Sequence, residues 1–570
     1  MVTAPSSFPS NLPSPAIVAQ EAVRRLPRLA LVLLCVVYVL AGYVGREPWK
    51  SADMAAFGVM RDIALGYSGW LAPTLAGSPA DTPALLPYWL GALAIKASPA
   101  WLPMDVAARI PFALLLVLTM LATWYGIYYL AKRPAAQPVP FAFGGEAQPT
   151  DYARCLADGG LLALLAMLGL AQLSHETTPA AMQLACVALL LYATAASAYH
   201  RALPLLAAAA ATIGLALSGA PALGIALALT AAVTRAMQAD DDSAQVWGLV
   251  LALLGALAAT LALGLGQWPK QWGTVQMDWP TNFIAWRNLG RMFLWFTWPG
   301  WPLALIAVWK WRAWWRSLHI ALPVALALLI SLVTLLHPNA DRVLLLALPS
   351  LACLAAFALP TLQRNATSLI DWFTVLFFSA CGLFIWVYWV AMQTGWPSKP
   401  AANIRRLVPG FEAYFSFAIF LIAVCATLAW VWLAKWRVGR HRAALWKSLV
   451  LPAGGTALSW LLLMTLWMPL ADFARSYAPL VRLVTQRIGQ PDCVQTVGLS
   501  PGQTAAFSFH AQLRLKPVTK NAQCQWLIVD ADSAERVSQM TSMRQWTLRA
   551  TMRRPSDDNE DVLLFERRAP

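Results

Sequence analysis

The sequence predicts a polytopic α-helical membrane protein of about thirteen transmembrane helices, followed by a small C-terminal α/β domain outside the membrane. Three observations carry that reading. Of the 570 residues 59% are hydrophobic and only 12% charged, about half the charged share of a soluble domain. Apolar runs of spanning length recur along most of the chain. After Asp472 they give way to short runs in which apolar and polar residues alternate.

A helix that crosses a bilayer needs about 20 apolar residues. Runs of this kind lie at about 29–45, 108–131, 158–174, 179–199, 203–218, 220–234, 246–267, 292–309, 319–336, 343–360, 369–392, 413–434 and 447–470. The fifth and sixth are Ala-rich and separated only by Gly219-Ala220-Pro221, so they form either a hairpin or one long bent element.

The Lys/Arg bias of short loops sets the orientation. Arg24, Arg25 and Arg28 precede the first span and place residues 1–28 in the cytoplasm. Lys132 and Arg133, Arg235, the group Lys310, Arg312 and Arg316, and the run from Lys435 to Lys447 all fall on the same side under a count of thirteen. The odd count then puts the tail outside. The first run reads as an anchor rather than a signal peptide, because twelve more follow it.

The net charge of +15 and pI near 9.7 first suggest nucleic acid. The basic residues are spread over short loops, which points to membrane orientation and lipid headgroups instead. Residues 29–472 thus form the membrane module, with 46–107 as the first outer loop, and 475–570 the outer domain. In that domain CVQTVGL, AAFSFHAQ, QWLIVDA, WTLRATM and VLLFER all read as strands, since period-two alternation is the strand signature. His510 stands alone there and reads as a surface residue. Six cysteines sit in or beside spans without metal-ligand spacing. Cys493 and Cys524 are an isolated pair in an oxidising compartment, which predicts a disulfide.

The first outer loop is the most informative stretch. Its Asp53 is a lone carboxylate beside a membrane exit, where charge is costly and marks a site. Residues 51–65 can form a short helix on the membrane surface, with Asp53, Phe57 and Met60 on one face. Two readings stand: a carboxylate that favours the helix N-terminus, or one that faces a cavity at the outer leaflet.

The loop also resembles that of the aminoarabinose transferase and protein mannosyltransferase-related family of glycosyltransferases, which use polyprenyl-phosphate sugars and share the GT-C architecture. The family loop reads W-x-P-D-E-x-R-Y-A-E-I, then a Trp, P-x-L-x-G, E-K-P and Y-W. Here Asp53 is followed by Phe57, Trp70, Pro73, Leu75, Gly77 and Tyr88-Trp89 at matching offsets. HPNADRVLLLALPSLACLAA resembles the family's D-R-Y-x-L-P-x-x-P stretch and brings Arg342 to a basic position that faces the lipid phosphate. WFTWPGWPLALIAVWKWR resembles its Pro-Trp helix start. The resemblance implies an inverting transferase at the periplasmic face of a bacterial inner membrane. Its donor would be a polyprenyl-phosphate sugar, and its acceptor lipid A, another glycolipid or a protein.

The departures are specific. The acidic pair is here Asp53-Met54, and the triplet is Thr82-Pro83-Ala84 with Asp81 one residue before it as a stand-in for the Glu. The triplet Lys has no counterpart, and a metal-binding His corresponds to Asn288. No metal and no cofactor are therefore expected.

The chemistry needs few groups. A polyprenyl phosphate leaves without a general acid, so one base suffices, and Asp53 is the candidate catalytic residue; such a base contributes about 10²–10⁴-fold. Guanidinium grips two phosphate oxygens, which makes Arg342, then Arg291 and Arg287, the candidates for the donor phosphate. Lys270, Lys399, Arg405 and Arg406 also fall in outer loops, where headgroup contact is the plainer reading. Asp81, Tyr88, His175 and Glu176 are candidate cavity residues; His175 and Glu176 equally suit a turn before Thr178-Pro179. Trp268, Trp272, Trp279 and Trp286 share one outer loop and fit an interfacial belt better than a sugar platform. Two other classes stay open: a flippase for lipid-linked sugars and an inactive scaffold. Ionisable groups gather at span ends rather than mid-membrane, which favours surface chemistry.

Overall fold

The computed structural model describes residues 13–238, 241, 243–266, 280, 282–337, 340–438, 444–518, 524–533, 545–557 and 560–568. Each of the apolar runs falls on a helix or a helix pair. Seven single helices among the described residues are long and apolar enough to cross a membrane, and an eighth crossing results if one bent pair counts as a span. Shorter apolar helices lie at Arg28–Tyr43, Ala202–Leu217 and Pro221–Ala236. The last two are a hairpin, not one bent element. They turn at Gly219, whose φ is +83° and which faces Thr82 and Pro83 of the first loop.

Of the runs that are broken where the sequence predicts single spans, two meet at their breaks. The run expected at 158–174 is a helix at Pro149–Ala166 that stops before the short turn Leu170–Leu173. The run expected at 292–309 is Phe283–Phe296 and Gly300–Lys310, bent by 82°. Pro299 lacks the N–H that would continue the first helix. The two breaks satisfy one another: Leu168 N–H donates to Trp298 O at 3.2 Å and Gly169 N–H to Phe296 O at 2.8 Å. Free backbone groups at membrane depth require such partners.

The first loop carries the helix Ala52–Ala64, the two-residue strands β1 (Thr74–Leu75) and β2 (Ser78–Pro79), and the helix Leu86–Ala97. The helix Ala52–Ala64 is largely covered by protein. Nine of its thirteen residues are buried, because the tail helix Pro501–His510 packs over it. Gly58 makes that approach possible, since a Cβ there would sit 2.5 Å from Ala505 Cβ.

The tail opens with two helices, Met468–Arg475 and Ala478–Ile488, before its strands begin. β3 (Val494–Val497), β4 (Leu515–Pro517), β5 (Trp526–Asp530), β6 (Trp546–Arg553) and β7 (Asp561–Arg567) form a sheet in the order β4-β3-β5-β7-β6. β3 is parallel to β4 and β5, and β7 is antiparallel to β5 and β6. AAFSFHAQ, expected as a strand, lies in and just beyond the helix Pro501–His510. Ser500 and Gln503 cap that helix reciprocally and Pro501 starts it, a combination that favours helix over strand. A disulfide joins Cys493 to Cys524, with Cα atoms 5.3 Å apart. It ties the starts of the neighbouring parallel strands β3 and β5.

Candidate functional site

A cavity of about 900 Å³ opens where the first loop, the span ends and the tail meet. One wall is the start of the helix Ala52–Ala64, and another is β2 with the turn through Asp81 and Thr82. The Gly219-Ala220-Pro221 turn and Thr178-Pro179 form the floor. Arg342, in the short helix Ala340–Leu345, stands beside His337. The tail closes the top with Thr496, Gly498, Ser500 and Lys516.

Asp53 lies one layer behind this wall, 1% exposed. Its Oδ1 accepts Thr177 N–H at 2.7 Å and Thr177 Oγ1–H at 2.8 Å. Its Oδ2 accepts Arg46 Nη2 at 2.7 Å and Trp49 N–H at 3.2 Å. Both oxygens therefore have two donors, the full capacity of an ionised carboxylate. Arg46 is equally buried, donates also to His175 O at 2.9 Å and stacks on the Trp49 ring at 4.7 Å. Its Nε and Nη1 have no hydrogen-bond partner among the described residues, and its charge is felt at buried Arg109, whose Nη2 pairs with Asp105 at 3.3 Å.

Arg342 lines the cavity and pairs with Glu176, Nη2 to Oε2 at 2.8 Å. Glu176 is 2% exposed and sits below the cavity floor. Burial and the charge of Asp53 push its carboxyl pKa up, against the pull of Arg342. Gln172 links this pair outward to Arg475. Asp81 and Tyr88 line the cavity directly; burial raises the Asp81 carboxyl above its usual range.

Other predicted residues fall elsewhere. His175 is packed under Tyr43 and Trp460, its ring between Ala171 O and Tyr38 O, and burial pushes its pKa down to about 3. It is a neutral, wedged side chain, not part of the cavity lining. Arg287 and Arg291 are exposed on the helix Phe283–Phe296, and Arg405 and Arg406 on the helix Ser398–Leu407, all outside the lining. Trp286 is exposed on the same helix as Arg287, whereas Lys270, Trp268, Trp272 and Trp279 lie outside the described residues. His510 is half-buried in the electrostatic field of Glu47 and Asp105 rather than alone on the surface. Among the described residues no three His, Cys, Asp or Glu side chains group as a metal site.

Sequence reasoning missed Arg46 and Thr177, which hold Asp53, and Lys516, which reaches the cavity from β4. It also missed Asp472, whose Oδ1 accepts Trp49 Nε1 at 2.7 Å and Glu47 N–H at 3.3 Å. Burial pushes this carboxyl up to about 6. Arg46 opens the informative window and could have been paired with Asp53. The rest come from distant parts of the chain.

No protein-family model and no curated sequence matches the chain. Solved structures do. ArnT from Cupriavidus metallidurans in the apo state superposes with a TM-score of 0.62 at 13% identity, over 94% of this chain and 97% of that one. The same protein bound to undecaprenyl phosphate gives 0.61 at 12%, over the same shares. The chain is a multi-pass membrane protein with an ArnT-like, GT-C fold and a small C-terminal sheet domain.

Proposed function

We propose that this protein is an inverting glycosyltransferase that moves a sugar from a polyprenyl-phosphate carrier to an envelope acceptor: lipid A, another glycolipid or a protein. Residues 29–472 would be its membrane module and 475–570 a periplasmic domain, with transfer at the outer face of the inner membrane. The observation that carries the reading is the Arg342 guanidinium in the wall of a roomy cavity at the span ends, with the Asp53 network directly behind it. One structure of similar fold was solved with undecaprenyl phosphate bound.

In this reading the acceptor hydroxyl oxygen attacks the anomeric carbon, and the bond to the carrier phosphate breaks through an oxocarbenium-like transition state. The phosphate leaves onto Arg342, and the hydroxyl proton passes to a carboxylate. Asp53 can take it only if one of its four donors lets go. The Thr177 hydroxyl is the readiest, because its proton can rotate away while the Thr177 N–H stays. A second reading makes Asp81 the base, and it has one specific observation in its favour: Asp81 lines the cavity with a raised pKa, while Asp53 is saturated. Transfer from a purified polyprenyl-phosphate sugar, measured for Asp53→Asn and Asp81→Asn, separates the two. Near-normal transfer by both variants would refute the reading as a whole.

A further inference from the structure

A second cavity of about 720 Å³ shares no lining residue with the first. It runs between the helices Arg28–Tyr43, Met104–Ala131 and Pro149–Ala166, from Arg28 to Leu40 along the first of them. At a helical rise of about 1.5 Å per residue this is roughly 18 Å. Its walls are apolar for most of that length: Val32, Cys35, Val36, Leu114, Val117 and Leu121. All of its charge is at one end, where Arg25, Arg28, Arg154 and Asp158 converge.

That end carries unspent positive charge. Arg25 is paired with Asp151 at 3.2 Å. Asp158 feels both Arg28 and Arg154, and one of its oxygens is taken by Trp124 Nε1 at 2.8 Å. Neither Arg28 nor Arg154 has an ion pair among the described residues. Two guanidinium groups thus share Asp158 at the mouth of an apolar slot about one acyl chain deep, with Asp151, already paired with Arg25, also in the field of Arg154.

We infer that this groove is a binding site for an anionic glycerophospholipid, with the phosphate at Arg28 and Arg154 and an acyl chain along the helix Arg28–Tyr43. A soluble anion has no use for the apolar length, and a zwitterionic lipid would bring a second cation to a site already short of anions. Basic pockets between transmembrane helices bind lipid headgroups on these terms. The site is separate from the proposed transfer chemistry and does not depend on it.

The test uses the purified full chain in mixed micelles, with native mass spectrometry reading retained lipid. Phosphatidylglycerol and phosphatidylcholine of identical chains are compared, with inorganic phosphate as competitor. Wild type is expected to retain phosphatidylglycerol preferentially. Arg28→Gln with Arg154→Gln should weaken that retention about 30-fold, from about 1 kcal/mol per basic residue. Arg549→Gln, on strand β6 of the tail, should leave it unchanged. Cys35→Trp, which fills the slot, should lower retention of both lipids with no change in melting temperature. Equal retention of the two lipids, an unaffected double variant, or displacement by phosphate alone would each overturn the inference.

Discussion

Replacing Asp53 by Asn separates the structural work of this side chain from its proposed chemical work. The carboxylate accepts four hydrogen bonds at 1% exposure. An amide has one accepting oxygen and one donating nitrogen. If the nitrogen faces Arg46 and Trp49, two donors are orphaned; if it faces Thr177, the hydroxyl can turn and accept, and only the Thr177 N–H is lost. The second orientation is cheaper, yet Arg46 still becomes an uncompensated buried cation. Breaking a buried pair in this way costs about 3–5 kcal/mol, against a total stability of about 5–15 kcal/mol. The variant should therefore fold, insert and melt measurably lower. If Asp53 is the base, transfer should fall by about 10²–10⁴-fold as well. The double variant Arg46→Met with Asp53→Leu removes both charges and should recover most of the lost stability without recovering transfer. Two assays decide the matter: detergent melting of the purified protein, and transfer from a polyprenyl-phosphate sugar. A destabilisation of Asp53→Asn below about 1 kcal/mol would refute the buried-pair argument. Transfer within a few-fold of wild type would refute the base assignment.

Arg342→Ala should raise the apparent donor KM far more than Arg405→Ala, since only Arg342 lines the cavity. Adding Glu176→Gln should restore stability but not donor use, and equal losses in the two single variants would reduce the effect to general lipid electrostatics. Asp472 makes stability depend on pH. An acid whose pKa is raised on folding holds its proton more tightly in the folded state, so its contribution is whole below about pH 4 and lost as pH rises through about 6. With the carboxyl at about 6, the loss is roughly 3 kcal/mol. Asp472→Asn should flatten that part of the melting profile; identical slopes in the two proteins would exclude it. Cutting the disulfide with Cys493→Ser and Cys524→Ser opens a loop of sequence separation 31. This should destabilise the tail by roughly 3–4 kcal/mol on loop entropy, read as greater protease sensitivity after residue 475 than before it. Uniform sensitivity along the chain would count against that account.

The membrane helices were legible because apolar length is a local property. The places where the sequence misled were local conflicts decided by partners elsewhere. Residues 158–174 and 292–309 look like ordinary spans, yet both break, and each break meets matching backbone groups at the other. AAFSFHAQ alternates like a strand, but the Ser500-Pro501-Gly502-Gln503 start was readable as a helix cap and outweighs it. Asp53 was conspicuous as an isolated charge, and Arg46, seven residues earlier, was within reach of the same reasoning. Thr177, 124 residues away, was not. Nor was Lys516, which only the β3–β4 pairing brings to the cavity. A wall built from both ends of a chain has no signature in any one segment.

That wall has a consequence for how the protein comes into being. The residues between Thr496 and Lys516 that roof the cavity follow the membrane helices in the chain and leave the ribosome after them. Until they arrive, the helix Ala52–Ala64 has no partner for Gly58, and Lys50 has neither Asp557 nor Glu560 to bind. The cavity is therefore finished only once the tail has been made. A chain interrupted between Arg342 and the tail would carry Arg342 and Asp53, yet present them to a trough without its roof.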